Sequence, residues 1–293
     1  MSRSFRSGFF LTLAAGSTIA LAQALFGPPS TEASGQQTAE SRVVLVAVTD
    51  AQNRTIVDLE TDDFQIEEDG APRDVFEARI ADYPVVVLID NGSGAQDDLA
   101  TIRAAAARFV ARIGERAVAV GTLASPPEML ATFEDDRPTV LARLDKLALR
   151  PGPLAPLEAL AAATRLIRDV GAPFSAVIVV AAGPIESEAQ EPTDLLKPIL
   201  ESRAFINGVG RRPAAATGGD SDLVRDLSAR TGGQFTVVFS QPSYAVALDR
   251  LADRLAAEFM VEYLVPRGSN PSPDVRVGVK IPGVRVRGMG VSR

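Results

Sequence analysis

The chemistry open to this chain is narrowed first by what it lacks. Its 293 residues contain no His and no Cys. That excludes Ser-His-Asp catalysis, His-ligated zinc and imidazole acid–base chemistry together. Carboxylates and hydroxyls remain, and these suit hard cations or hydrogen bonding. The carboxylate best placed to act is Asp90. It follows Val85–Ile89, five apolar residues of which four are β-branched, and it leads into Asn91-Gly92-Ser93-Gly94. A continuous apolar run of this kind reads as a strand buried on both faces, the middle of a parallel sheet. Open α/β sheets bind ligands at the carboxyl ends of such strands. The expected role for Asp90 is to cap its own turn through the backbone N–H groups of Gly92–Gly94.

The elements that must position this acid follow from pattern. Upstream, Val43–Val48 is a strand, and Phe64 and Ile66 alternate with Gln65 and Glu67 as a half-buried strand does. Asp69-Gly70 is a hairpin turn, with Val75, Phe76 and Ala78 on the expected return strand. Downstream, residues 97–113 have helical spacing in Leu99, Ile102, Ala106, Phe109, Val110 and Ile113, and Asp97 and Asp98 favour the positive end. Further strands are expected at 117–123, 129–133, 175–182, 205–209 and 234–239. Between them lie helices at 139–147, just after Pro138, at 157–170, at 193–203, where Pro198 marks a kink or a start, and at 223–231. Gly232-Gly233 is a helix C-cap signal. A last helix at 243–259 turns Val246, Leu248, Leu251, Leu255 and Phe259 inward. Strands at 260–265, 275–281 and 284–289 close the chain, and lacking a core of their own they should pair with the N-terminal strands.

The expected fold class is therefore α/β: a doubly wound, mostly parallel sheet with a small antiparallel β-sandwich formed by N- and C-terminal strands. Residues 1–22 read as a signal peptide, with Arg3 and Arg6 ahead of an apolar stretch that ends in Ala20-Leu21-Ala22. Residues 23–41 read as a disordered linker, 42–80 as an N-terminal β module, 81–259 as the α/β domain and 260–293 as strands completing the module. The expected location is periplasmic or extracellular, on a membrane only if the leader stays uncleaved. Losing Arg3 and Arg6 takes the formal charge from −7 to −9. No basic run survives, which argues against nucleic acid as a partner.

Four stretches in this order resemble a von Willebrand factor type A domain, and more narrowly the bacterial exported VWFA-related proteins. They are LETDDFQIEEDG at 59–70, VVVLID ending at Asp90, LSARTGG at 227–233 and RVGVKIPGVRVR at 276–287. The resemblance spans roughly residues 42–290. It implies one Mg²⁺ or Mn²⁺ at the top of the sheet, held by an Asp and two Ser of a D-x-S-x-S turn, a Thr and a further Asp. Only Asp90 is present. The two Ser positions are Gly92 and Gly94, with Ser93 out of phase; the Thr position falls near Leu154 and the last Asp at Ala182. One carboxylate holds Mg²⁺ weakly, because that ion gives up water reluctantly. The expectation is no cofactor, no catalysis and a degenerate metal site.

Other candidates are weaker. IDNGSG also resembles the phosphate loop of the actin family, but a helix rather than a hairpin follows it. The acids Glu60, Asp62, Asp63, Glu67, Glu68 and Asp69 are separated by a strand and read as a solvated surface. Glu186, Glu188 and Glu191 lie in the loop after the third buried strand, where a basic partner could meet them. Nothing places two carboxylates together with substrate-binding aromatics as a glycosidase needs. The reading is an exported protein-binding or scaffolding domain, its surface formed by Asp90, Asn91, Gly92, Ser93, Gly94, Leu154, Ala182 and Glu186. The alternatives are metal-dependent adhesion through a shifted Asp90/Ser93 site, and a hydrolase or nucleotide-binding enzyme.

Overall fold

The computed structural model describes residues 39–186, 192–212 and 222–292. The strands are β1 (Ala39–Thr49), β2 (Phe64–Glu68), β3 (Ala71–Arg73), β4 (Val75–Ile80), β5 (Val85–Ile89), β6 (Val118–Thr122), β7 (Met129–Ala131), β8 (Ala176–Ala181), β9 (Phe205–Arg211), β10 (Phe235–Val238), β11 (Glu258–Pro266), β12 (Val275–Val279) and β13 (Arg285–Val291). The helices are α1 (Leu99–Arg112), α2 (Arg137–Asp145), α3 (Pro156–Val170), α4 (Thr193–Glu201), α5 (Leu223–Thr231) and α6 (Ser243–Ala256).

Every residue of β5 is fully buried. It pairs in parallel with β6 (Val85↔Val118) on one side and with β8 (Val85↔Ala176) on the other. Val85, Val87 and Ile89 face a core built with α1, α2 and α6; Val86 and Leu88 face one built with α3, α4 and α5. Each such side chain contributes about 1.5–3 kcal/mol relative to exposure. The full order is β10-β9-β8-β5-β6-β7, parallel but for the short β7. This is the doubly wound order whose ligand crevice opens where the strand order reverses, beside β5.

Local chemistry sets the helix limits. Asp136 caps α2 by accepting from Thr139 N–H at 2.9 Å, so Pro138 lies within the first turn rather than before it. Asp222 caps α5 by accepting from Val224 and Arg225 N–H. Gly232 ends α5 at φ +75°, and a Cβ on Gly233 would sit 1.9 Å from Ile206 O, so the chain needs both glycines there. Pro198 lies inside α4.

The chain's two ends build the second layer pair. β1 runs antiparallel to β11 from Ala39↔Pro266 to Ala47↔Glu258. One sheet is β13-β1-β11-β4, and β12-β2-β3 is the other. Between them pack Val44, Val46 and Val48, Phe64 and Ile66, and Phe259, Val261 and Tyr263. The Phe64 and Phe259 rings meet at 5.4 Å.

Several sequence expectations are corrected here. Ala39–Ser41 belong to β1, not to a linker, because they pair with Leu264–Pro266. The return strand of the Asp69-Gly70 hairpin is β3; the chain then changes sheets at Asp74, and β4 pairs with β11. Val246 is exposed; Tyr244 and Ala247 take its place inside, since α6 sits rotated on its core. Phe259 lies in β11, two residues into the strand. Glu68 is no solvated acid: it is 2% exposed. It pairs with Arg42 at 2.5 Å and Arg73 at 3.3 Å. The Tyr263 hydroxyl donates to it at 3.4 Å. Glu188 and Glu191 lie outside the described residues.

A second buried charge sits at the amino-terminal edge of the parallel sheet. Glu258 accepts from the Tyr83 hydroxyl at 2.5 Å and lies 3.9 Å from Arg116. The Arg116 guanidinium stacks 4.1 Å from the Tyr83 ring centre and donates to Leu255 O. Burial raises the Glu258 pKa, against the pull of the Tyr83 hydroxyl and Arg116, and burial also raises that of Tyr83.

Two outcomes follow from these charges. Glu68→Gln leaves Arg42 buried beside a neutral partner and should cost about 3 kcal/mol or more. Glu67→Gln, at a half-buried residue whose ion pair with Arg276 is loose at 3.7 Å, should stay within about 0.5 kcal/mol, both read by urea denaturation. Glu258 takes up its proton in the folded chain at a pH where the unfolded chain does not. Its contribution to stability therefore falls as pH rises through the folded value. Glu258→Gln should flatten that fall in a melting series run upward from the ordinary carboxylate range; an unchanged slope assigns it to other groups.

Candidate functional site

The carboxyl ends of β5 and β8 lie side by side, so Asp90 and Ala182 meet. The Asp90 backbone N–H already continues the ladder, donating to Val180 O at 2.9 Å. Its side chain is 4% exposed and turns into the turn and across the sheet. Oδ1 accepts from Gly92 N–H at 3.0 Å, and Oδ2 accepts from Ala182 N–H at 3.0 Å. Asp90 thus caps its own turn through Gly92, one of the three N–H groups expected, and also clasps the end of β8. Burial raises its pKa; the Ala182 and Gly92 N–H groups lower it, and the Asp98 charge adds to the rise.

Gly92 and Leu154, far apart in sequence, are in contact. A Cβ on Gly92 would lie 2.7 Å from Leu154 Cδ2 and 3.4 Å from Asp90 Oδ1. The isobutyl group occupies the space a side chain at 92 would need. Leu154 is carried there by an isolated bridge to Ala124, by Ser125 N–H to Pro153 O at 2.9 Å and by Ala155 N–H to Leu123 O at 2.7 Å.

The neighbouring residues point elsewhere. Asn91 is buried and ties two loops: its amide donates to Ala148 O at 3.1 Å and its Oδ1 accepts from Ala124 N–H at 3.3 Å. The Ser93 hydroxyl is exposed and accepts from Gly152 N–H at 3.1 Å. Nothing lies within 4 Å of a Cβ on Gly94. Glu186 is exposed at a hollow of about 370 Å³ that also takes in Leu154, Leu157, Ile185, Leu195, Leu223 and Glu158. The sequence-derived set therefore splits: Asp90, Gly92, Leu154 and Ala182 converge on one point, while Asn91, Ser93, Gly94 and Glu186 surround it.

Three residues that the sequence reading did not single out as a group support this point from below. Asp98, at the N-cap of α1 as its type suggested, is fully buried and pairs with Arg211 at 2.6 Å. The Tyr244 hydroxyl donates to Ala181 O at 2.8 Å, one residue before Ala182. Burial, then the Asp98 charge, raises the Tyr244 pKa. No spacing in the sequence links residues 98, 211 and 244. Only Asp98 carried a signal, as an acid at a helix start. Among the described residues, no group of three or more acids comes together as a metal cluster would.

The strand order, the parallel pairing and the antiparallel edge strand make this a fold of the von Willebrand type A kind, as the sequence resemblance implies. No family profile matches the chain, and no curated protein matches it either. Solved structures do. A von Willebrand factor type A protein from Catenulispora acidiphila is 12% identical, covering 88% of this chain and 74% of its own, at a TM-score of 0.45. The conserved hypothetical protein BatB from Bacteroides thetaiotaomicron is 16% identical over 59% of this chain and 98% of its own, at 0.45. The vWF domain of the type V pili tip protein Mfa5 from Porphyromonas gingivalis is 12% identical over 58% and 93%, at 0.44.

The contact between Gly92 and Leu154 yields a test. Gly92 has φ −72°, which any residue adopts, so the cost of Gly92→Ser is steric. It should destabilise by about 1–3 kcal/mol, and Leu154→Ala in the same chain should recover part of that cost. A double-mutant cycle by denaturant titration reads the coupling; additive effects would place Leu154 away from Gly92.

Proposed function

We propose that this chain is an exported protein-binding or scaffolding module that works without a metal ion and without catalysis. Its binding surface is the top of the parallel sheet around Asp90–Gly94, Leu154, Ala182 and Glu186. One observation carries the reading: both Asp90 oxygens serve as backbone acceptors, to Gly92 and to Ala182. The positions that the resemblance assigns to the other ligands hold Gly92, Gly94, Leu154 and Ala182. A small hard cation needs near-octahedral oxygen donors, and these residues do not fit one. An acid that braces two strand ends is a structural part; the partner then meets loops rather than an ion.

Export is proposed from the Arg3/Arg6 start, the apolar stretch and the Ala20-Leu21-Ala22 site. Among the described residues, no helix is long and apolar enough to cross a membrane. The partner is proposed to be a protein, since a formal charge of −7 without a basic run disfavours nucleic acid.

The test is thermal melting in EDTA and then in millimolar Mg²⁺, Mn²⁺ or Ca²⁺, with Asp90→Ala beside the parent chain. An ion bound by the native state alone raises stability, by about 2.7 kcal/mol at a hundredfold excess over Kd. The expected result is the same melting temperature in every cation. A rise that Asp90→Ala abolishes would overturn the proposal and make the protein a metal-dependent adhesion module with a shifted site.

A further inference from the structure

Among the described residues the three sheets have six edges, and five are guarded. β3 and β7 are three residues long, and β3 carries Pro72. On β4, Glu77 and Arg79 are charged, and the Ala78 N–H already donates to Thr61 Oγ1 at 3.1 Å. β12 carries Arg276, and β13 carries Arg285, Arg287 and two glycines. Short length, proline, charge and covering loops are how natural proteins keep edges from pairing. β10 is itself short, at four residues, but it carries no charge or proline, and no described residue bonds its outer edge. With its flanks it reads Gln234-Phe235-Thr236-Val237-Val238-Phe239-Ser240-Gln241, without charge, proline or glycine.

The hydrogen bonds of β10 fix which groups face outward. Gly208 N–H donates to Gln234 O at 2.8 Å, and Arg212 N–H donates to Val238 O at 2.9 Å. Residues 234, 236 and 238 thus turn their backbone toward β9. By alternation, Phe235 and Val237 turn both N–H and C=O outward. Among the described residues no hydrogen bond reaches those groups. Phe239, just past the strand, is 69% exposed, the most exposed large apolar residue among those described. Phe235 is held in place: its ring covers Gly208 and Gly210, where a Cβ would lie 2.4 and 3.0 Å from it, and the Arg225 guanidinium sits 5.3 Å from the ring centre.

We propose that β10 pairs antiparallel with β10 of a second copy of this chain, about a twofold axis through Val237. The sequence Phe-Thr-Val-Val-Phe is close to palindromic about that residue, as an interface of one patch with itself requires. In this register Val237 exchanges both outward bonds with the partner's Val237. Phe235 falls opposite the partner's Phe239, and Thr236 opposite the partner's Val238. Outward groups meet outward groups, and aromatic meets aromatic on one face. No charge opposes a like charge across the pair. A shift of one residue would set outward backbone groups against inward ones, and a shift of two would set Phe235 against Val237 and lose the aromatic pairs.

Sedimentation of the full chain across a concentration series reads the assembly. The expected result is a reversible dimer, with Thr236→Lys/Phe239→Lys raising its Kd about tenfold or more. The chain has no Cys of its own, so one introduced thiol reports on register. In a hydrogen-bonded antiparallel pair the two Val237 Cα atoms stand about 5.5 Å apart, within disulfide reach. Val237→Cys should therefore form a covalent dimer under mild oxidation. Phe76→Cys, on the guarded β4 edge and 65% exposed in the parent, should not. A chain that stays monomeric to its solubility limit overturns the proposal. So does a dimer that tolerates both lysines, or equal cross-linking at the two positions.

Discussion

A strand with no exposed residue imposes conditions on everything around it. Val85–Ile89 has backbone groups on two edges and side chains on two faces, and none of them reaches water. Both edges must then be paired, because an unpaired buried N–H or C=O costs about as much as a lost hydrogen bond. Both faces must be covered by helices. β6 and β8 meet the first condition, and α1 and α3 with their neighbours meet the second. The chain can satisfy them only by crossing over in both directions from β5. That choice places the reversal of strand order, and so the natural crevice, at Asp90.

What occupies that crevice is a brace. Asp90 is a buried acid whose oxygens accept from its own turn and from the end of the next strand. Asn91 does the same for two further loops through its amide. Asp98 and Arg211 form an ion pair beneath, and the Tyr244 hydroxyl donates to Ala181 O at the end of β8. Polar residues at the top of this sheet are thus largely spent on one another, which fixes loop geometry. Leu154 closes the arrangement by filling the space beside a glycine.

The sandwich depends on a different constraint. β1 and β11 come from opposite ends of the described chain and pair along nine positions. Closing the long loop between them carries an entropic cost, which grows only slowly with its length. The buried Arg42–Glu68 pair, with Arg73 and Tyr263, joins β1 to β2 across the two sheets, and removing one partner would leave a buried charge uncompensated.

Read alone, the sequence determined the elements that repeat. Continuous apolar runs gave β5, β6 and β8, three-four spacing gave α1, the Gly232-Gly233 cap marked the end of α5, and the acid after β5 was legible as a cap. Periodicity is a local property, set by which residues share a face, so it survives without coordinates. The sequence also determined that His and Cys chemistry is absent. The contacts between distant residues were decided only by tertiary structure. The clasp from Asp90 to Ala182, the Leu154 methyl beside Gly92 and the Asp98–Arg211 pair join residues 92, 62 and 113 positions apart. The change of sheet at Asp74, the burial of Glu68 and the rotation of α6 that exposes Val246 were likewise settled by packing. In each case several partners were compatible with the local pattern, because periodicity says which residues share a face and not which distant residue meets them.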